Sequence, residues 1–195
     1  MSMLKRVASK AHNTLKVTDQ TLTDRPLKLL NHISSMVSNK NAKLDATAVA
    51  DSDAGYQVGY TLTFPDNDKY IISKILHDYY GTEVIRANLE MLLCNNLVTI
   101  SRQMPVLNNQ GGVKGHVDTI LYDRLPCKIL PLSEDKDKTD DIFLNNYVIF
   151  MSILNPIEID DRLQFAHTYN IAKANGVKTV SEGIIEVLFN RDTRW

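Results

Sequence analysis

Tyr56-Gln57-Val58-Gly59-Tyr60-Thr61-Leu62-Thr63-Phe64, the break Pro65-Asp66-Asn67-Asp68 and the run from Lys69 to Asn95 decide how the fold is read. In the first nine residues Tyr56, Val58, Tyr60, Leu62 and Phe64 alternate with Gln, Gly and Thr. That is the period of a half-buried strand, and it turns Tyr56, Tyr60 and Phe64 toward the core. Pro65 stops the strand, and Asp68 is suited to cap a helix. Beyond it Ile72, Ile75, Leu76 and Tyr79 recur at helical spacing until Gly81, and Ile85, Leu89, Leu92 and Leu93 do the same from about Glu83 to Asn95. Two helices in succession after one strand are not the strict alternation of a parallel α/β fold. The expectation is an α+β class with a small mixed or antiparallel sheet flanked by helices.

On the C-terminal side, Leu97–Arg102, Val117–Tyr122 and Lys128–Leu132 read as strands. Asn108-Asn109-Gln110-Gly111-Gly112 supplies turn residues, so residues 97–123 form a long hairpin. Residues 142–154 fit either a helix, through Leu144, Tyr147, Val148 and Met151, or a buried strand from Tyr147 to Leu154; length favours the helix. Asp160 caps a further helix to Gly176. Thr179-Val180-Ser181-Glu182 matches a capping box, against which stand Gly183 and the β-prone run Ile184–Phe189. No internal repeat is visible.

On the N-terminal side, residues 1–25 differ from the rest. Lys5, Arg6, Lys10, Lys16 and Arg25 face only Asp19 and Asp24, and Leu4, Val7, Ala11 and Leu15 recur at helical spacing. This predicts a basic amphipathic helical arm over residues 1–25, with a polar tether from Val17 to Thr23, followed by an α+β core over 26–195. The core opens with a helix that carries Leu29, Leu30, Ile33 and Val37 inward. The arm is the expected partner-binding element, through Leu4, Lys5, Arg6, Val7, Lys10, Ala11 and Leu15, because a lone helix of this length needs a surface to cover its apolar stripe.

The whole composition fits an ordinary globular protein: 195 residues, 44% hydrophobic and 23% charged, with 22 basic against 23 acidic side chains. A formal charge of -1 excludes a strongly basic nucleic-acid coat. Cys94 and Cys127 read as two reduced thiols with no CxxC or Cys/His cluster for zinc. There is no signal-peptide h-region and no apolar run long enough to span a membrane, so the expected location is intracellular where the chain is made, and in a virion if the most specific functional reading holds.

Chemistry is sparse. His116 and Asp118 stand two apart on a predicted strand with Asp123 nearby, two candidate ligands without a fixed third. Asp135–Asp141 opens like a calcium loop but has Asp140 at the turn position and Asn146 where the bidentate acid belongs. Gly111-Gly112-Val113-Lys114-Gly115 lacks the order of a phosphate loop and precedes a strand. No catalytic residue, metal ligand, cofactor or small-molecule substrate is therefore assigned. The functional expectation is a structural or adaptor subunit of a large assembly, most specifically a virion component such as a phage neck, tail or baseplate protein. Its expected partners are further copies or other structural subunits, with nucleic acid disfavoured and no membrane. Two alternatives remain open: a small enzyme built on the 97–123 hairpin, or a nucleic-acid-associated accessory protein.

Overall fold

The computed structural model describes residues 15–21, 23–32, 46–131, 147–166 and 171–191. Every regular element among them is a strand: β1 (Leu15–Asp19), β2 (Asp24–His32), β3 (Ala46–Asp51), β4 (Thr61–Thr63), β5 (Lys69–Tyr80), β6 (Glu83–Leu93), β7 (Asn96–Leu107), β8 (Val113–Pro131), β9 (Tyr147–Ser152), β10 (Arg162–Phe165), β11 (Ile171–Ser181) and β12 (Ile184–Arg191). The α+β expectation is overturned. Within the described residues the helices read over 26–37, 68–81, 83–95 and 160–176 fall on β2, β5, β6, β10 and β11; residues 33–37 and 167–170 lie outside the described residues. The 142–154 segment contains β9, the strand reading of that stretch, and Thr179–Glu182 is the end of β11 and its turn.

The strands close two six-stranded barrels. Around the first the order is β1-β2-β3-β6-β5-β4, with β4 paired back to β1; around the second it is β7-β8-β9-β12-β11-β10, with β10 paired back to β7. Closure leaves neither sheet with a free edge along its barrel. The chain divides into two compact units, not one core domain. The first runs up to Cys94 and takes in Ser152–Leu154 and Thr179–Ile185; the second takes in Asn95–Met151, Asn155–Lys178 and the residues from Glu186 on. No boundary falls between residues 25 and 26, because Arg25 and Pro26 are consecutive residues of β2, opposite Val17 and Lys16 of β1.

In the first barrel the interior is built by size matching. Ala46, Ala48 and Ala50 on β3 lie opposite Met91, Leu89 and Ala87 on β6, and all six are buried. Small against large in the first two of these pairs, with alanine on alanine in the third, fills a narrow barrel without voids. Leu62 and Phe64 point inward, Leu62 opposite Tyr70 and Phe64 with its ring 4.8 Å from that of Tyr70. The expected burial of Phe64 therefore holds, while Tyr56 and Tyr60 are half-buried and pack against this core from a loop, since β4 spans only Thr61–Thr63. In the second barrel Val98, Ile100, Leu163, Phe165 and Ala172 fill the interior in register, and Phe165 stacks at 5.3 Å on Phe189.

The two barrels share more than strand order. The loop 52–60 between β3 and β4 and the loop 153–161 between β9 and β10 follow one course at a constant offset of 101 positions. Gly59 and Asp160 both take positive φ, 85° and 81°. The amide of Tyr60 donates to the Gln57 carbonyl and that of Asp161 to the Glu158 carbonyl, each at 3.2 Å. Gly59 and Tyr60 exchange backbone bonds with Ile72 just as Asp160 and Asp161 do with Ala174. Buried Leu62 and Phe64 recur as Leu163 and Phe165. The chain is thus an internal repeat of one Greek-key barrel, a feature absent from the sequence reading because, Leu62/Leu163 and Phe64/Phe165 apart, the matched positions from 52 to 64 hold different residue types.

Each copy ties its loop down with an arginine and a buried aspartate. In the first unit Asp19, at the end of β1, is 3% exposed. It accepts from the Arg25 Nε at 2.5 Å, from the Thr21 hydroxyl at 2.6 Å, and from the amides of Thr21 and Thr23 at 2.8 and 3.1 Å. Burial pushes this carboxyl up, but the four donors outweigh it and hold the group down at about 2. Arg25 goes on to donate to the Ala54 carbonyl and lies over the Tyr56 ring at 5.9 Å. In the second unit buried Asp161 accepts both the Nε and an Nη of Arg102, at 2.6 and 2.8 Å, as well as the Glu158 amide. Arg102 also reaches Glu158, and its hydrogen bonds to Asp161 raise its pKa further above the ordinary arginine range.

Candidate functional site

The repeat acts as an internal control, because it shows which part of the second barrel exceeds what the fold needs. In the first barrel Val17 lies opposite Arg25, and the β1–β2 hairpin turns at once beyond Asp19. In the second, Val98 lies opposite Leu125, and β7 and β8 continue well beyond the ring. β10 pairs with β7 only as far as Ser101, and β9 pairs with β8 only from Lys128. From Arg102 to Leu107 and from Val113 to Leu125 the two strands therefore pair only with each other among the described residues. The hairpin read over 97–123 is present, with its turn where Asn108 and the glycines stand. Gly111 takes φ 80°, and the Asn108 carboxamide oxygen accepts from the amides of Gln110 and Gly112 at 3.0 and 2.8 Å.

The extension is exposed from Gln103 to Ile120, and it carries apolar side chains on both faces. Met104 lies opposite Val117 and Val106 opposite Gly115 on one face, while Gln103–Asp118, Pro105–His116 and Ser101–Ile120 alternate on the other. Met104 is 45% exposed, Leu107 and Val113 59%, and Ile120 64%. A two-stranded ribbon is marginal in water on its own. This one is braced at its base by Arg102 on one face and, on the other, by Asp118, whose carboxylate accepts from buried Arg162 on β10.

Of the polar residues singled out from the sequence, Asp118 and Asp123 do structural work, and Asp135–Asp141 lie outside the described residues. Asp118 serves Arg162, and Asp123 accepts from the Thr99 hydroxyl at 2.8 Å. Among the described residues no three His, Cys, Asp or Glu side chains are placed to hold a metal ion. Neither Cys94 nor Cys127 is in a disulfide; burial pushes the Cys127 thiol up to about 12, away from thiolate reactivity. From these contacts His116→Ala is expected to leave the melting temperature unchanged, within about 0.5 kcal/mol. Asp118→Ala strips a buried arginine of an acceptor and costs about 1–3 kcal/mol, read in a denaturant melt. Equal, negligible effects would show that the Asp118–Arg162 pair does not brace the hairpin.

Of the residues expected to bind a partner, Leu15 stands in β1 opposite Leu27, half-buried against the first barrel's core, and so belongs to a stave of that barrel. Leu4, Lys5, Arg6, Val7, Lys10 and Ala11 lie outside the described residues. The apolar residues of the 101–122 extension went unread as a surface, although the signal was available: in that hairpin Arg102, Lys114 and Asp118 are the only charged side chains. Among the described residues no helix is long and apolar enough to cross a membrane. No family model, no curated protein and no solved structure matches the chain.

Proposed function

We propose that this protein is a structural or adaptor subunit of a large assembly, and that the β7–β8 extension is the element that engages its neighbours. The observation that carries the reading is the ribbon that one barrel copy has and the other lacks, solvent-exposed and carrying apolar side chains on both faces. Exposed apolar surface of this kind marks an interaction site in a soluble fold. Rigid closed barrels with a projecting strand pair suit mechanical connection, and the more specific form of the proposal is a virion component such as a neck, tail or baseplate protein.

The test shortens the ribbon without touching its braces. Gln103 and Asp118 lie opposite each other, so Met104–Val117 can be replaced by Asn-Gly, the preferred two-residue hairpin turn. Both barrels should melt within a few degrees of the parent, because the deleted residues bury little. The species of higher mass, or the co-purifying subunit seen by native mass spectrometry of the intact chain, should be lost. Retention of that mass after shortening would overturn the proposal.

A further inference from the structure

We propose that the outer edge of β8 pairs antiparallel with the same edge of a second copy of this chain, about a two-fold axis at Val117. The inference rests on the assembly reading above and specifies its partner.

The two edges of the ribbon are not equivalent. Pro105 sits in β7, where the missing N–H makes that edge a poor template for a further strand. The β8 edge from Val113 to Leu121 has no proline, and it carries the β-branched residues Val113, Val117, Thr119 and Ile120. Natural edges are usually protected by charge, by proline or by covering. This one has Lys114 and Asp118 alone, and Asp118 is held toward Arg162. A copy of the chain meets no net electrostatic barrier, since its formal charge is -1.

Complementarity along β8 selects the register. Centring the two-fold on Asp118 would set two carboxylates face to face. Centring it on His116 would oppose two imidazoles and set each Val117 against the partner's Gly115, which has no side chain to cover it, although it pairs Lys114 with the partner's Asp118. Centring it on Val117 places His116 opposite the partner's Asp118, twice by symmetry. The Asp118 carboxylate is engaged by Arg162 from the β10 side, and its side chain is still 35% exposed. On the other face the two Val117 side chains meet beside Met104, which covers apolar surface that the monomer leaves wet. An isologous contact of this kind closes on itself and yields a discrete dimer.

The experiment uses the full chain. Sedimentation over a concentration series is expected to show a monomer–dimer equilibrium, and His116→Ala to weaken it at least tenfold while leaving the monomer's melt unchanged. Directly opposed β carbons in an antiparallel pair lie close enough for a disulfide. Val117→Cys should therefore give a disulfide-linked dimer on mild oxidation. His116→Cys, two positions out of register with its own copy, should not, and nor should the parent with Cys94 and Cys127. A monomer at every concentration overturns the pairing, as does crosslinking at residue 116 in place of 117. If that monomer still loses a co-purifying subunit when the ribbon is shortened, self-pairing fails and the assembly reading stands. If shortening changes nothing, the assembly reading fails as well.

Discussion

Gly183→Ala is expected to destabilise the first unit by about 3 kcal/mol or more, the upper range for forcing an atom into a packed interior. A Cβ built at Gly183 would overlap the Ile72 carbonyl oxygen and come within 2.7 Å of the Val58 side chain and 2.8 Å of the Gly59 amide nitrogen. Two of these neighbours are backbone atoms, which cannot swing aside. The Gly183 amide also donates to the Ser73 carbonyl at 3.0 Å, and its carbonyl accepts from Ile153 at 3.0 Å, so the glycine is pinned from both sides. Gly115→Ala is the control, since a Cβ there meets nothing within 4 Å. Thermal melts of the two variants should differ sharply, and a Gly183→Ala protein as stable as the Gly115→Ala protein would show that the close approach does not exist in solution.

The second large effect is expected at Asp19. Asp19→Asn removes the charge that the Arg25 guanidinium faces and, with the carboxamide oxygen kept on the Thr21 and Thr23 donors, turns an NH2 donor toward the Arg25 Nε, which needs an acceptor. Breaking a buried pair by removing one partner costs about 3–5 kcal/mol, or roughly 10 °C in melting temperature. The pH dependence follows in sign. The folded carboxyl titrates near 2, below its ordinary 3.8, so its contribution is complete above about pH 4 and is lost as the pH falls toward 2. The gap between wild type and Asp19→Asn should thus be widest at neutral pH and should narrow over that acid window. A gap of constant width from pH 7 to pH 2 would mean that the charge of Asp19 contributes nothing.

The parts of the fold that were legible in the sequence are those decided by local chemistry. The turn at Pro65–Asp68 is there, with Asn67 at φ 70° and the Phe64 amide bonded to the Asp68 carbonyl, and the Asn108–Gly112 tip is there as well. So are the strands around Leu97 and Lys128 and the inward Leu62 and Phe64. The helices expected over 68–95 failed for a physical reason. Tyr70, Ile71, Ile72 and Ser73 are buried in succession, on both faces of β5, and the register shifts between Ile72 and Lys74. Double-sided burial removes the two-residue alternation, and a bulge then resets its phase, so that Ile72, Ile75, Leu76 and Tyr79 imitate a helical stripe. The β-branched pair Ile71-Ile72 was the opposing signal. At the candidate site, attention went to His116 and Asp118 because polar residues advertise chemistry. The exposed Met104, Leu107, Val113 and Ile120 were passed over because exposure depends on where the barrel ends, and β10 and β9, which set that limit, come from residues 147–165.

The composition of the first unit has a kinetic consequence. Its six staves are complete once Leu93 has been made, and its closing pair, Asp19 with Leu62, spans a modest stretch of chain. During synthesis that ring can close while the second barrel is still untranslated. Yet Thr179–Ile185 belongs to the same unit and is translated only after β7 to β10. The early ring must therefore wait, with the Ser73 carbonyl unmet by its native donors, until Ser181 and Gly183 arrive to supply a hydroxyl and an amide. Pairings over such separations are slow to form. A ribosome stalled before residue 179 would expose a first barrel that is closed but unfinished, and synthesis past Gly183 would be followed by a late consolidation step in a unit whose staves were made long before.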